Sequence, residues 1–215
     1  MNTGVRNTVI LCLAFVAMVL GALFYNASRE PLLSDEALRE EGVVLLPRPR
    51  AVAPFVLENQ EGDPFSLDML RGKWNLIYFG YTYCPDICPV TLASLAKTEE
   101  GLRKAGEQAL LDKLRVILVT VDPERDDPAT LKQYLKAFSN RFIGLTGTKK
   151  EIAALATELN VAFGKVPRDG DSYLVDHTGN IVLINPQGHY VGFIRPPHDP
   201  EEMQLILKTL ANRSS

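Results

Sequence analysis

The chain is short of the residues that staple a fold or bind a ligand in numbers. It has three cysteines, three histidines and one tryptophan in 215 residues. So few cysteines exclude a disulfide-stapled miniature domain. A fold of about 150 residues buries a real core without such help. An excess of positive charge is also missing: 23 Lys and Arg stand against 26 Asp and Glu, for a net charge of −3. Without a basic footprint, nucleic acid is not an expected partner. No internal repeat and no low-complexity tract breaks the chain. Its length fits one ordinary domain with some additional chain.

What is present begins with one long uncharged run. No charged residue occurs from Asn7 to Ser28, and the apolar core is Val9 to Phe24. As a helix rising about 1.5 Å per residue, such a run covers a hydrocarbon layer of about 30 Å. Arg6 precedes it and Arg29-Glu30 follow it. That slight positive bias puts the amino terminus in the cytoplasm and the rest outside. No A-x-A cleavage site follows the run, so an uncleaved anchor over residues 1–28 is expected, with a cleaved signal peptide as the alternative. An Arg-rich transit peptide is absent, which favours a bacterial inner membrane with the domain facing the periplasm. Cys12 lies inside the run without the small-residue context of a lipoprotein cysteine.

Residues 29–53 are charged and contain Pro31, Pro47 and Pro49 without a sustained period. They read as a linker with one short helix near Ser34 to Glu41. From Pro54 to about residue 212, strands and helices alternate. Phe55-Val56-Leu57 and Pro64-Phe65-Ser66 suggest a hairpin. WNLIYF (Trp74–Phe79) and RVILVTV (Arg115–Val121) are continuous apolar runs, as in strands buried on both faces. A helix is expected from Val90 to Ala105. Others follow Asp127-Pro128, to Phe138, and the capping box Thr148 to Glu151, to Leu159. Phe142–Leu145 is a short strand. Ser172–Asp176 and Ile181–Ile184 read as two strands around a Thr178-Gly179-Asn180 turn. His189–Ile194 is a third, and a last helix follows Asp199-Pro200. The pattern predicts an α/β domain: a mixed β-sheet flanked by helices.

The chemistry concentrates in Tyr81-Thr82-Tyr83-Cys84-Pro85-Asp86-Ile87-Cys88-Pro89. The spacing of Cys84 and Cys88 places both sulfurs on one face of a helical first turn. A helix amino terminus favours the thiolate, which is both nucleophile and metal ligand. Closing so small a loop stabilises a fold very little, so the pair points to chemistry: a redox-active pair able to form a disulfide, or two soft ligands. Two thiolates suit Cu(I), and an imidazole beside them admits Cu(II). His177 follows a strand at a turn and is the first choice for it; His189 begins a strand and reads as solvent-facing, and His198 lies beside a helix cap. A structural zinc site is short of ligands here. Asp86, Asp122 and Asp176 each have a bland reading, as a loop carboxylate, a supporting structural residue and an outward strand residue. Each also has a functional one, in thiol tuning, site orientation and support of His177.

Three blocks together go further. YFGYTYCPDICPVTL, VTVDPERDDPATLKQY and DSYLVDHTGNIVLINPQGHYVGFI resemble, in order, the signature blocks of the SCO/SenC family. The resemblance spans roughly Pro54 to Leu210. It implies a thioredoxin-like fold behind a single N-terminal transmembrane helix. It implies one copper per chain, Cu(I) or Cu(II), held by Cys84, Cys88 and His177. It also implies a role in building the binuclear copper centre of cytochrome c oxidase subunit II, as a metallochaperone rather than a conventional enzyme. Subunit II, a copper donor chaperone and a thiol-disulfide reductase are then the expected partners. The alternative is a thiol-disulfide oxidoreductase that reduces the acceptor cysteines and needs only Cys84 and Cys88. A peroxiredoxin-like peroxidase, suggested by the run before Trp74, explains neither the cysteine spacing nor Asp176-His177-Thr178.

Overall fold

A computed structural model describes residues 3–27, 32–168 and 173–213. It divides into two units, the first ending at Leu32. The first unit holds helix α1 (Thr3–Ala27). Its stretch Gly4–Phe24 has a mean hydropathy of 2.4 and none of it is buried within the molecule. An apolar helix that long and that exposed fits a membrane anchor or a signal sequence.

The second unit opens on α2 (Asp35–Glu40), where the Ser34 hydroxyl accepts the Ala37 amide at 3.1 Å and caps the first turn. Next comes β1 (Val43–Ala51). This strand corrects the expectation that all of residues 29–53 are linker. Val43 and Leu38 are fully buried, and β1 pairs antiparallel with the strand near the chain's end. Two features hide it in the sequence. Its burial fades from Val43 outward instead of alternating, and it carries Pro47 and Pro49. Both prolines are tolerated because β1 is an edge strand with one side free of ladder bonds. Arg29 to Pro31 lie outside the described residues.

The expected hairpin forms as β2 (Val56–Asn59) and β3 (Pro64–Ser66), followed by a single 3₁₀ turn. Then come β4 (Trp74–Gly80), α3 (Ile87–Lys104), α4 (Gln108–Asp112), β5 (Leu114–Thr120), α5 (Pro128–Lys136), β6 (Ile143–Thr146) and α6 (Lys149–Glu158). The remaining elements are β7 (Phe163–Pro167), β8 (Tyr173–His177), β9 (Ile181–Ile184), β10 (His189–Ile194) and α7 (Pro200–Arg213). Asp127 and Thr148 cap α5 and α6 as their sequence signatures predict. The short helix α4 and strand β7 have no counterpart in the sequence reading.

Eight strands form one mixed sheet in the order β1-β10-β9-β4-β5-β6-β2-β3. Its centre is parallel, β4 to β5 to β6, and the all-buried β4 lies between β5 and β9. Helices flank it through apolar stripes at helical spacing. Examples are Leu92, Leu95 and Leu102 on α3, and Met203, Ile206, Leu207 and Leu210 on α7. Gly192, at φ +150°, is required where β10 meets β1: a Cβ there would lie 2.1 Å from the Val44 carbonyl oxygen.

One expected pairing is overturned. Residues 173–177 do not fold onto β9 across Thr178-Gly179-Asn180. They pair antiparallel with β7 in a separate two-stranded sheet, with Phe163 opposite His177 and Pro167 opposite Tyr173. The 178–180 segment is a crossing between sheets, because β9 is already saturated by β4 and β10. Ser172, the expected start of this strand, lies outside the described residues.

The edge strand yields a test. A chain beginning at Val52 loses Leu38 and Val43 from the core, at about 1.5–3 kcal/mol for each buried side chain. Its denaturation midpoint is expected to fall well below that of a chain beginning at Leu33. Equal midpoints in guanidinium unfolding would show that β1 adds nothing.

Candidate metal centre

The site forms where the parallel strands end, as ligand sites of open α/β sheets do. β4 delivers the chain at Gly80 into the cysteine loop, and α3 starts at Ile87. Cys88 therefore sits in the first helical turn, while Cys84 precedes the helix in a turn closed by its own amide on the Tyr81 carbonyl at 3.3 Å. This corrects the expectation that both lie within one helical turn. They still converge, because the Cys88 amide donates to Cys84 Sγ at 3.4 Å. Pro89 falls at the third helical position, where a missing amide costs little.

The two sulfurs have unlike surroundings. Cys88 is fully buried and Cys84 half-buried. A Cβ on Gly80 would lie 3.0 Å from Cys88 Sγ, so the glycine gives the buried sulfur its room. The hydrogen bond from Cys88 holds the Cys84 thiol far below its ordinary range, at about 3, against the opposing effect of burial. The Cys88 thiol is pushed up, first by that same interaction and then by burial. Cys84 is thus the thiolate of the pair. Tyr78, fully buried, points its hydroxyl at Cys88 Sγ at 3.9 Å.

His177 ends β8 and completes the cluster. Its Nε2 lies 3.2 Å from Cys88 Sγ, and one ligand atom from each of Cys84, Cys88 and His177 falls within 4.8 Å of the others. Among the described residues, no other three side chains of metal-binding type converge in this way. His177 Nδ1 lies 3.3 Å from the Thr178 carbonyl. A carbonyl only accepts, so Nδ1 carries the hydrogen and Nε2 turns its lone pair toward the sulfur. Tyr78 and Tyr81 meet the imidazole edge-on, with ring centres 5.7 and 6.0 Å away. The donor set fits a soft or borderline ion: two sulfurs and a neutral imidazole nitrogen, with too few ligands to close a four-coordinate structural site.

The other sequence candidates divide. His189 is exposed on β10 and outside the site. His198 is buried, with its Nε2 3.1 Å from the Gly179 carbonyl, so it props the loop after His177 from behind. Asp86 is exposed and makes no capping bond. Asp176 is exposed and faces away from the imidazole; the partner that fixes the ring is the Thr178 carbonyl. Asp122 is fully buried, pairs with Arg125 and accepts the Tyr173 hydroxyl at 2.8 Å, which is the supporting role expected of it. Of the four aromatics of this region, Tyr78, Phe79 and Tyr81 are buried as core, and Tyr83 is exposed.

Sequence reasoning missed Asp126. This buried carboxylate accepts the Thr82 amide at 3.0 Å, the Thr82 hydroxyl at 2.6 Å and the Thr120 hydroxyl at 2.7 Å. It thereby pins the entry of the cysteine loop to the end of β5. The second aspartate of Asp122-Pro123-Glu124-Arg125-Asp126 was the available signal.

The sequence profile of SCO1/SenC matches residues 45–212. The chain belongs to the SCO1/SenC family. A Stutzerimonas stutzeri protein is 37% identical over 207 residues, covering 96% of this chain and 95% of its own. Two solved structures lie close. Bradyrhizobium japonicum ScoI with copper bound is 39% identical, with a TM-score of 0.66 over 74% of this chain and 98% of that one. Arabidopsis thaliana ScoI with copper bound is 32% identical, with a TM-score of 0.68 over 75% and 98%. The sheet, its flanking helices and these neighbours agree on the thioredoxin-like fold expected from the three blocks. The SCO1/SenC profile begins inside β1, which agrees with that strand's place in the domain.

The unequal sulfurs can be tested directly. In the reduced, metal-free chain at pH 6, iodoacetamide is expected to label Cys84 at least tenfold faster than Cys88, because the thiolate is the reactive form and Cys88 is covered (about tenfold is a conservative bound). Peptide mapping separates both from Cys12. Equal labelling would contradict the assigned asymmetry.

Proposed function

We propose that this chain is a copper-binding assembly factor that delivers copper to, or prepares, the binuclear copper centre of cytochrome c oxidase subunit II. The observation that carries it is the convergence of Cys84, Cys88 and His177, with the Nε2 lone pair facing a thiol. Membership of SCO1/SenC and the copper in the two neighbouring structures support the choice of metal. Copper is here a cargo. Two sulfurs suit Cu(I), and the imidazole extends the site to Cu(II). Three ligands at the domain's rim leave a coordination position through which an acceptor's ligand can enter. The exposed segment around Tyr83 and Val90 is the docking edge in this reading. Residues 1–28 act as an uncleaved anchor in the inner membrane, the amino terminus is cytoplasmic, and the domain works in the periplasm. A donor chaperone supplies the copper, and a thiol-disulfide reductase keeps Cys84 and Cys88 reduced.

A second reading rests on the unequal thiols. The Cys84 thiolate attacks a disulfide of the acceptor and forms a mixed disulfide, releasing one acceptor thiolate. Cys88, once deprotonated, attacks Cys84 Sγ, releasing the second acceptor thiolate and leaving a Cys84–Cys88 disulfide. The two electrons gained by the acceptor come from this pair, and an external dithiol reductase restores it. The two roles compete for the same sulfurs.

Titration of the full chain, reduced and in detergent, with Cu(II) separates them through the sulfur-to-copper charge-transfer absorption. His177→Ala is expected to weaken Cu(II) binding by more than about 100-fold, since even outer-shell partners of a metal site are worth about 10–100-fold. One tightly bound copper in the parent and its loss in the variant support the carrier. Unchanged affinity in the variant, or simple oxidation of Cys84 and Cys88, overturns the three-ligand site and leaves the reductase reading.

A further inference from the structure

The thiols sit in the loop and helix that follow β4 of the main sheet, the imidazole sits on the separate β7–β8 sheet, and one turn grips both. The turn is Asp122-Pro123-Glu124-Arg125-Asp126, at the end of β5. On the cysteine side, Asp126 holds Thr82 by two hydrogen bonds, and the Arg125 guanidinium lies over the Tyr83 ring at 4.9 Å and the Tyr81 ring at 5.8 Å. On the histidine side, Arg125 stacks on the Tyr173 ring at 3.9 Å and donates to the Tyr173 carbonyl at 3.4 Å. Asp122 accepts the Tyr173 hydroxyl, and Glu124 pairs with Lys165 of β7.

These contacts are unequal. The Glu124–Lys165 pair is exposed, and such pairs are screened and weak. Asp122 is fully buried, and a charge so placed holds its partner firmly because losing it leaves the carboxylate uncompensated. Arg125 Nη2 is buried with no hydrogen-bond acceptor, and ring faces surround the guanidinium instead. The planar cation therefore fills the gap between the two halves of the site. The hairpin's other ties to the rest of the domain include buried Val175 and the Phe163 side chain against the core, the Val175 amide on the Tyr81 hydroxyl, the Tyr78 and Tyr81 rings beside His177, and the loop after His177.

We propose that Arg125 is a positioning residue: clamped by Asp122 between Tyr173 and Tyr83, it sets the distance from His177 to the two cysteines. Without it the β7–β8 hairpin swings free, and Nε2 no longer rests against Cys88. The proposal builds on the three-ligand reading of the site, but its first readout does not.

The test uses the full chain in detergent with Arg125→Met, which keeps a long apolar stem, and Tyr173→Leu, which removes the stacked ring but leaves the Asp122–Arg125 pair. In the metal-free chains, amide hydrogen exchange at residues 173–177 is expected to rise at least about tenfold in both variants, with β4 and β9 unchanged. Cu(II) affinity is expected to fall about 10–100-fold, as for other outer partners of a metal ligand. In a His177→Ala background, Arg125→Met should weaken Cu(II) no further, because Arg125 acts only through His177. Unchanged exchange at 173–177 in both variants overturns the brace, and so does a full additive loss in the His177→Ala background. If His177→Ala alone binds Cu(II) normally, the ligand assignment has failed instead, and the exchange data still decide the brace.

Discussion

The site depends on one distance, the 3.2 Å between a buried sulfur carried by helix α3 and an imidazole nitrogen carried by the separate two-stranded sheet. Cys88 is fixed by the core: it sits in the first turn of α3, whose apolar stripe packs with the sheet and α7. His177 has no such foundation. It ends a strand whose only sheet partner among the described residues is β7. An isolated two-stranded hairpin is marginal by itself. Its placement must come from side chains, and the molecule supplies them on three sides. Tyr173 meets Asp122 and Arg125, the Val175 amide meets the Tyr81 hydroxyl, and Gly179 meets His198. A rigid half and a tethered half suit the carrier reading, in which the site admits and releases an ion.

How far this was legible follows from the same division. The central strands announced themselves, because strands buried on both faces are written as unbroken apolar runs. The helix starts at Asp127 and Thr148 were equally plain, since capping is local chemistry. The cysteine loop was legible for the same reason. β1 was not, because a strand at a sheet's edge that runs out into solvent has neither an apolar run nor an alternation to show. The partner of β8 was not legible either. A Thr-Gly-Asn segment between two apolar strands reads as a hairpin turn, and only the saturation of β9 by its two neighbours forbids that.

His177 was chosen from position and resemblance, and its neighbour explains why sequence could go no further. Asp176 is the obvious support for an adjacent histidine, yet consecutive strand residues face opposite ways, so it is exposed. The group that fixes the ring is a backbone carbonyl, which carries no mark in a sequence. Arg125 and Asp126 were hidden differently. Acidic and basic residues in a Pro-containing turn read as solvated surface, and only the fold reveals that Asp126 is buried and Arg125 lies among rings.

The carrier and reductase readings need not divide the molecule, because one hydrogen separates them. Nδ1 is bonded to Thr178 and Nε2 faces Cys88 Sγ at 3.2 Å, while the hydrogen bond to Cys84, and then burial, keep the Cys88 thiol protonated. The resting cysteine pair is therefore one thiolate and one thiol, with the imidazole beside them. A cation that binds all three must displace the Cys88 hydrogen, so loading releases a proton and leaves two thiolates to offset the metal's charge. In the reductase reading Cys88 must again lose its proton. Its thiolate then attacks Cys84 Sγ of the mixed disulfide, forming the Cys84–Cys88 disulfide and expelling the acceptor's thiolate, which carries away the two electrons. His177 stands at that branch, since its Nε2 lies 3.2 Å from Cys88 Sγ. An imidazole held in place favours the metal-binding geometry, and a hairpin that has swung away leaves the two sulfurs to each other.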